Sequence, residues 1–254
     1  MSYMKISVAL AYYNGGAYIK EQTDSILPQL DEKDELIISV DDASDGSMPL
    51  LEQIAGEDSR VRLLKGPGRG VVRNFDYVLR KCRGDIIFLS DQDDVWAAGK
   101  VSRVTEAFED PQVMAVLHDA QLMNQEGKFL KEPSVFSWRA SRTGMIKNVI
   151  RNSYMGCCMA FRRELVPVVC PIPGEMYMHD FWIGMAAEQM GKVVLIDEPL
   201  LFYRRHQANV TDLKHGSLGD MLNKRINMMR CLRLLKQRVQ AVYGQDKKDL
   251  EKES

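Results

Sequence analysis

Residues 35–47 read ELIISVDDASDGS: a β-branched apolar run that passes directly into Asp41, Asp42 and Asp45. How that junction is read decides the fold. From Asp41 to Glu52 the segment partly imitates a calcium loop, with acids at loop positions 1 and 5, Gly46 at position 6 and Glu52 at position 12. Position 3 is Ala43, which offers no ligand oxygen, and LIISV has the composition of a buried strand, not of the helix that enters a calcium-binding hand. The stretch is therefore a strand that ends in acids.

The flanking sequence repeats the pattern. KISVALAYY (5–13), VRLLKG (61–66) and DIIFLSDQDD (85–94) read as short apolar strands. Between them AYIKEQTDSILPQL (17–30), MPLLEQIAGE (48–57) and VVRNFDYVLRKC (71–82) show helical spacing. Alternating strands and amphipathic helices predict an α/β fold with a mostly parallel central sheet and helices on both faces. In such sheets ligands bind beyond the carboxyl ends of the strands. Three strands end in polar or acidic groups: Tyr13-Asn14, Asp41-Asp42, and Asp91 with Asp93 and Asp94. Carboxylates from separate strands are thus expected to converge at one edge. Asp45, followed by Gly46, Ser47 and Pro49, has the chemistry of a helix cap.

The second half is less regular. VMAVLHDAQLM (113–123) reads as a strand, 124–153 as loop and short helix, and GCCMAFRRELVPVV (156–169) as a strand passing into a helix. HDFWIGMAAEQMG (179–191) is a helix opened by Asp180, and KVVLIDEPLLFYRRH (192–206) is two strand-like pieces broken at Glu198-Pro199. From Leu218 to Val242 an apolar face (Leu218, Met221, Leu222, Met229, Leu232, Leu235, Val239, Val242) alternates with a basic remainder. That helix either packs on the domain or lies against an anionic membrane. The expected organisation is a domain over 1–215, divided into a regular half over 1–120 and a less regular half over 121–215, followed by a basic helix and charged tail over 216–254.

Composition narrows the function class. With 254 residues, 45% hydrophobic content and a formal net charge of -1, the chain can bury a sizeable core and carries no global basic field for nucleic acid. Five cysteines without a CxxC suit neither a disulfide framework nor a zinc site and read as reduced. No apolar run approaches the ~18 residues of a membrane span. The expected location is cytoplasmic, with peripheral contact at the inner membrane face as an option.

In FLSDQDDVW (88–96), Asp91 and Asp93 flank one residue and can supply an oxygen half-shell for Mg2+ or Mn2+. A bare DxD is a weak signal. The ordered set AYYNGG (11–16), VDDASDGS (40–47), GRGVVRN (68–74), RGDIIFLSDQDD (83–94) and HDFW (179–182) resembles the inverting nucleotide-sugar glycosyltransferases of family 2, which have the GT-A fold. LSDQDDVW with YRRHQANV is most similar to bacterial rhamnosyltransferases of polysaccharide assembly. The likeness is close over the first ~120 residues and looser over about 210.

The resemblance implies roles position by position. Asp42, assisted by Ala11 and Tyr13, would grip the nucleobase, and a carboxylate suits a pyrimidine N3–H. Asp41 would orient the turn or touch the ribose. Gly68, Arg69 and Gly70 would form the loop beside the nucleotide, with Arg73 and Asn74 nearby. Asp91 would contact the ribose or the ion, and Asp93 would ligate the divalent metal that bridges the phosphates. Asp94 would support them or cap the next helix. Asp180 would be the base that a single displacement requires. His206 is a candidate ligand for metal, Arg204 for diphosphate. Trp182 and His179 are candidate sugar or acceptor contacts, with positioning of the base and simple packing as the alternatives for His179.

The implied reaction moves a sugar, L-rhamnose from a dTDP donor or a UDP-linked hexose, to a glycan or polyprenyl-linked acceptor. The alternatives are a non-catalytic nucleotide-sugar scaffold and a nucleotidyltransferase that makes sugar nucleotides. Oligomeric state is not legible.

Overall fold

The computed structural model describes residues 3–131, 134–139, 141–205 and 226–242. The chain runs β1 (Ile6–Tyr13), α1 (Ile19–Ile26), β2 (Glu35–Asp42), α2 (Met48–Glu57), β3 (Val61–Lys65), α3 (Val71–Leu79), β4 (Ile86–Ser90) and β5 (Val95–Trp96). It continues through α4 (Lys100–Ala107), β6 (Val113–Met123), α5 (Val135–Arg139), α6 (Met145–Ile150), β7 (Met159–Arg162), α7 (Val166–Val169), α8 (His179–Met190) and β8 (Lys192–Arg204). Residues 226–242 form a last helix, α9.

The strands form one sheet in the order β3-β2-β1-β4-β7-β6-β8-β5. Pairs β3/β2, β2/β1, β1/β4 and β6/β8 are parallel. Helical crossovers between the first four strands enforce that direction. β7 runs antiparallel to both β4 and β6, and β5 antiparallel to β8. The parallel part therefore lies mainly in the first half, where the sequence alternates most regularly. β2, β1 and β4 are neighbours, so the three strands with polar ends open onto one edge. The chain winds outward from β1 through β2 to β3, then returns to place β4 on the other side of β1. That reversal is a topological switch point.

β1, β2 and β4 are buried on both faces over most of their length, which is why they read as continuous apolar runs. Val8, Leu10 and Tyr12 of β1 and Ile86 and Phe88 of β4 enter one core; Ala9, Ile87 and Leu89 enter the other. The first core is closed by α1 (Ile19, Ile26), α2 (Leu51, Ile54) and α4 (Val101, Val104). The second is closed by α3 (Phe75, Val78, Leu79), α7, α8 and α9. Each large apolar side chain removed from water in this way contributes roughly 1.5–3 kcal/mol.

Four expectations about elements are corrected. β8 is one continuous strand, because the irregularity at Glu198-Pro199 is absorbed as register shifts against His118–Gln121 of β6. Asp45 does not sit at the N-cap of α2; that position is Ser47, and Asp45 accepts from the Ser47 amide at 3.1 Å and the Gly16 amide at 2.9 Å, tying two loops together. Asp94 does not cap α4, whose N-cap is Gly99. In α9 the expected face members Leu232, Leu235, Val239 and Val242 do pack on the second core, joined by Met228 and Cys231, but Met229 is exposed. The proposed face members Leu218, Met221 and Leu222 lie outside the described residues. The five cysteines are free. Among the described residues no helix is long and apolar enough to cross a membrane.

Candidate active site

The site is built on the edge where β2, β1 and β4 end. After β1 the chain turns at Asn14, which has a positive φ of 47° that asparagine tolerates. The Asn14 side-chain amide donates to Asp42 Oδ2 at 2.9 Å, and the Ser44 hydroxyl donates to the same oxygen at 2.9 Å. These bonds, Ser44 first and then Asn14, hold the Asp42 carboxyl below the usual carboxylate range. Asp42 is thus a fixed, ionised acceptor at the strand end. Tyr13 is exposed, and Ala11 is half-buried against the second core.

Asp41 does something different. Its Oδ1 accepts from the Gly68 amide at 2.9 Å and its Oδ2 from the Gly70 amide at 3.0 Å. Gly68 and Gly70 have φ of 65° and 84°, values that favour glycine. Of the two roles left open for Asp41, orienting the turn is the one its geometry fits. Arg69 is exposed on that loop. Arg73 Nη1 donates to the Ile172 carbonyl at 2.6 Å, which joins α3 to the segment before α8. Asn74 is corrected: it is buried, and its amide donates to the Ser39 carbonyl at 2.8 Å, so it ties α3 to β2 and is not an exposed nucleotide contact.

At the end of β4, Asp91, Asp93 and Asp94 follow in close succession. Burial first, then the charges of Asp93 and Asp180, push the Asp91 carboxyl up to about 7. The base candidate and the DxD pair therefore share one electrostatic field, although Asp91 and Asp180 are 89 positions apart in the chain. Asp94 is almost fully buried; its Oδ1 accepts from the Arg204 amide at 3.0 Å, and its Oδ2 has no hydrogen-bond partner. Burial, with Asp93 and Asp91, raises it well above the usual carboxylate range. Carboxyls that raise one another in this way, one of them with an orphaned buried oxygen, form a set of hard oxygen donors that fits a divalent cation such as Mg2+ or Mn2+.

Asp180 is the second residue of α8. The N-cap is Met178 and makes no side-chain cap bond, so Asp180 is not the ordinary capping residue that its position suggests; its Oδ1 accepts from the Phe181 amide at 2.7 Å. His179 is corrected from sugar contact to packed support. Its ring stacks on Phe75 with centroids 4.1 Å apart, and its Nε2 is buried against Gly156. Burial, opposed by Asp180, keeps the imidazole below its usual value and hence neutral near pH 7.

Two further candidates are corrected by burial. Trp182 is fully buried and its indole N–H donates to the Val169 carbonyl at 2.8 Å, so it is core and not a sugar platform. Arg204 is 2% exposed. Its guanidinium donates to the Asp93 carbonyl at 2.9 Å, the Gln125 carbonyl at 2.8 Å and Glu21 Oε2 at 2.6 Å. It is a clamp on the acidic loop, committed to protein acceptors instead of diphosphate. His206 lies outside the described residues.

The sequence reading missed Gln92, the residue between the paired acids. Its Oε1 accepts from the Tyr13 amide at 2.5 Å and its Nε2 donates to the Tyr13 carbonyl at 2.7 Å, which fastens the end of β4 to the end of β1. It also missed Lys100, buried behind the acids.

Residues 7–169 match the family model described as glycosyl transferase family 2. Among curated proteins, an uncharacterised glycosyltransferase of Nostoc sp. is 26% identical over 215 residues, covering 81% of this chain and 66% of that protein. The putative teichuronic acid biosynthesis glycosyltransferase TuaG of Bacillus subtilis is 26% identical over 159 residues, covering 60% of this chain and 59% of its own. The chain thus spans about 59–66% of the length of these relatives. Among solved structures, S. aureus TarS in complex with UDP-GlcNAc superposes with a TM-score of 0.62 at 16% identity, covering 93% of this chain and 67% of TarS. The Pyrobaculum calidifontis mannosyltransferase PcManGT, in complex with GDP-Man and Mn2+, gives 0.60 at 16% identity, covering 94% of this chain and 75% of its own.

Proposed function

The chain belongs to glycosyl transferase family 2, and from that premise we propose that it is a metal-dependent, inverting transferase that moves a sugar from a pyrimidine nucleoside diphosphate to an acceptor hydroxyl. The observation that carries this reading is the shared field of Asp91, Asp93 and Asp180, two strand-end carboxylates and one helix-start carboxylate gathered at the switch point of the sheet. L-rhamnose from a dTDP donor is the first sugar to test, and UDP-linked hexoses or N-acetylhexosamines come next. The base-gripping carboxylate accepts uracil and thymine alike.

In this reaction Asp42, ionised and fixed by Asn14 and Ser44, accepts the N3–H of the base. Asp41 holds the glycine loop closed beside the nucleotide. Asp93 with Asp91 would hold the divalent ion, which supplies neutralisation of the charge that develops on the departing nucleoside diphosphate. Asp180 takes the proton of the acceptor hydroxyl as that oxygen bonds to the anomeric carbon from one face and the carbon–phosphate oxygen bond breaks on the other. His179, neutral and wedged on Phe75, sets where Asp180 stands.

The acceptor is proposed to be a glycan or a polyprenyl-linked precursor. The outward side of α9 supports contact with an anionic membrane, since it presents Ile226 and Met229 beside Arg230 and Arg233. Liposome flotation tests that contact: recovery with anionic but not neutral vesicles is expected, and equal recovery with both removes electrostatic docking.

A thermal-shift panel of UDP, dTDP, GDP and CDP, each with Mn2+, Mg2+ or chelator, tests the donor site, because a ligand of the native state alone raises apparent stability. A metal-dependent shift with dTDP or UDP is expected; no shift with any nucleotide overturns the reading. Asp180→Asn should preserve that shift while lowering kcat by about 10²–10⁴. Undiminished turnover would remove Asp180 as the base.

A further inference from the structure

Lys100 opens α4 and is 1% exposed, a burial that lysine almost never shows without a partner. Its Nζ donates to the Cys157 carbonyl at 3.1 Å and stands 4.0 Å from the centroid of the Trp96 ring. Among the described residues no carboxylate lies within ion-pair distance of it. Burial lowers its ammonium to about 8, and the charges of Asp94 and Asp91 are among those that hold it up. The Cys157 carbonyl that it binds belongs to a residue whose thiol lies within 4.8 Å of Asp91 and Asp94 carboxylate oxygens, so the lysine is buried beside the acidic strand end.

Beside Lys100 lies the donor set of a cation site. Asp91, Asp94 and Cys157 each place a possible ligand atom within 4.8 Å of the others, and Asp94 Oδ2 is buried with no partner. A second metal ion there would sit beside an ammonium. The cation that serves these groups is already covalently present.

We propose that Lys100 is the resident counter-ion of the acidic cluster, a positioning residue that offsets the summed charge of Asp91 and the buried Asp94, leaves Asp91 and Asp93 to hold a single divalent ion, and reduces the repulsion felt by the donor diphosphate. The inference rests on the reading of Asp91 and Asp93 as the pair that holds the metal. With all four ionised, Asp91, Asp93, Asp94 and Asp180 set against one divalent ion leave two negative charges unmatched. Lys100 brings this to one, next to an anionic leaving group. Removing the lysine charge therefore pulls two affinities in opposite directions: the site becomes more attractive to a cation and less attractive to a diphosphate.

Calorimetry on Lys100→Met, which keeps an unbranched side chain one atom shorter and removes its charge, is the test. MnCl2 titrated into the nucleotide-free protein should bind about tenfold more tightly than to wild type, and UDP or dTDP in saturating Mn2+ about tenfold more weakly. A lysine that merely fills space would weaken both or change neither, and either result overturns the proposal. Asp94→Asn/Lys100→Met removes one charge of each sign and should return Mn2+ affinity to near the wild-type value. Should Lys100→Met fail to fold, the double variant is expected to fold, and its failure to do so overturns the proposal. If wild type binds no Mn2+, the metal reading falls, and denaturation still decides the counter-ion: Lys100→Met should destabilise the wild-type background but not the Asp94→Asn background, and an equal loss in both backgrounds overturns it.

Discussion

Asp91 and Asp93 stand beside an apolar strand in the sequence itself, and for that reason they are legible: strand, acids and turn are all local. Lys100, Gln92 and Arg204 are not, because their partners are remote. Arg204 meets Glu21 across 183 positions of chain, and no periodicity encodes such a pair. Asp41 and Asp42 are adjacent and chemically identical, yet one holds a loop and the other faces the pocket; only the positions of Gly68, Gly70 and Asn14 separate them. Trp182 and His179 read as contacts because they flank Asp180, but a helix turns neighbouring side chains through about 100° each, and theirs point into the core. Gly156 shows what that packing controls. A Cβ there would stand 2.8 Å from His179 Nε2, and the ring cannot retreat because it is stacked on Phe75. Gly156→Ala should therefore displace Asp180 and lower kcat by about tenfold or more with little change in donor KM, measured by initial rates at saturating acceptor.

At the scale of elements, the strands and helices of the first half follow from their patterns, while β8 and α9 show where pattern fails. Pro199 suggests a break in β8, but register shifts against β6 let the strand continue past it. In α9 both faces carry apolar residues, so spacing alone leaves the buried face ambiguous. Leu235, fully buried, belongs to that face, and Arg238 reinforces it by donating to the Pro171 carbonyl at 2.8 Å. Leu235→Ala should cost about 2–4 kcal/mol in a denaturant titration, whereas Met229→Ala on the exposed side should change stability by less than about 0.5 kcal/mol. Equal effects would mean that α9 does not dock through this face.

For the whole molecule, stability and pH are linked through Glu35, at the start of β2. Burial alone would raise its carboxyl, but the Ser7 hydroxyl at 2.7 Å, the Arg83 amide at 2.7 Å and the Arg62 guanidinium at 2.6 Å outweigh burial and hold it lower. A carboxyl depressed in the folded state adds stability above its unfolded value near ~4.3, and that stability is lost as pH falls through the folded value. Glu35→Gln should lower stability by about 1–2 kcal/mol at pH 7, and the difference should shrink below pH ~4 when thermal melts are compared. A constant difference at all pH values would mean that the charge contributes nothing. Arg204 also decides how the molecule opens. Its amide holds Asp94, its guanidinium holds Asp93, Gln125 and Glu21, and it lies at the end of β8. The acidic loop, the first helix and the last strand cannot loosen one at a time, so their amides should exchange with deuterium at a common rate, as a single cooperative unit. A protein built this way presents its acidic loop either fully assembled or absent, and partial intermediates of the site are suppressed.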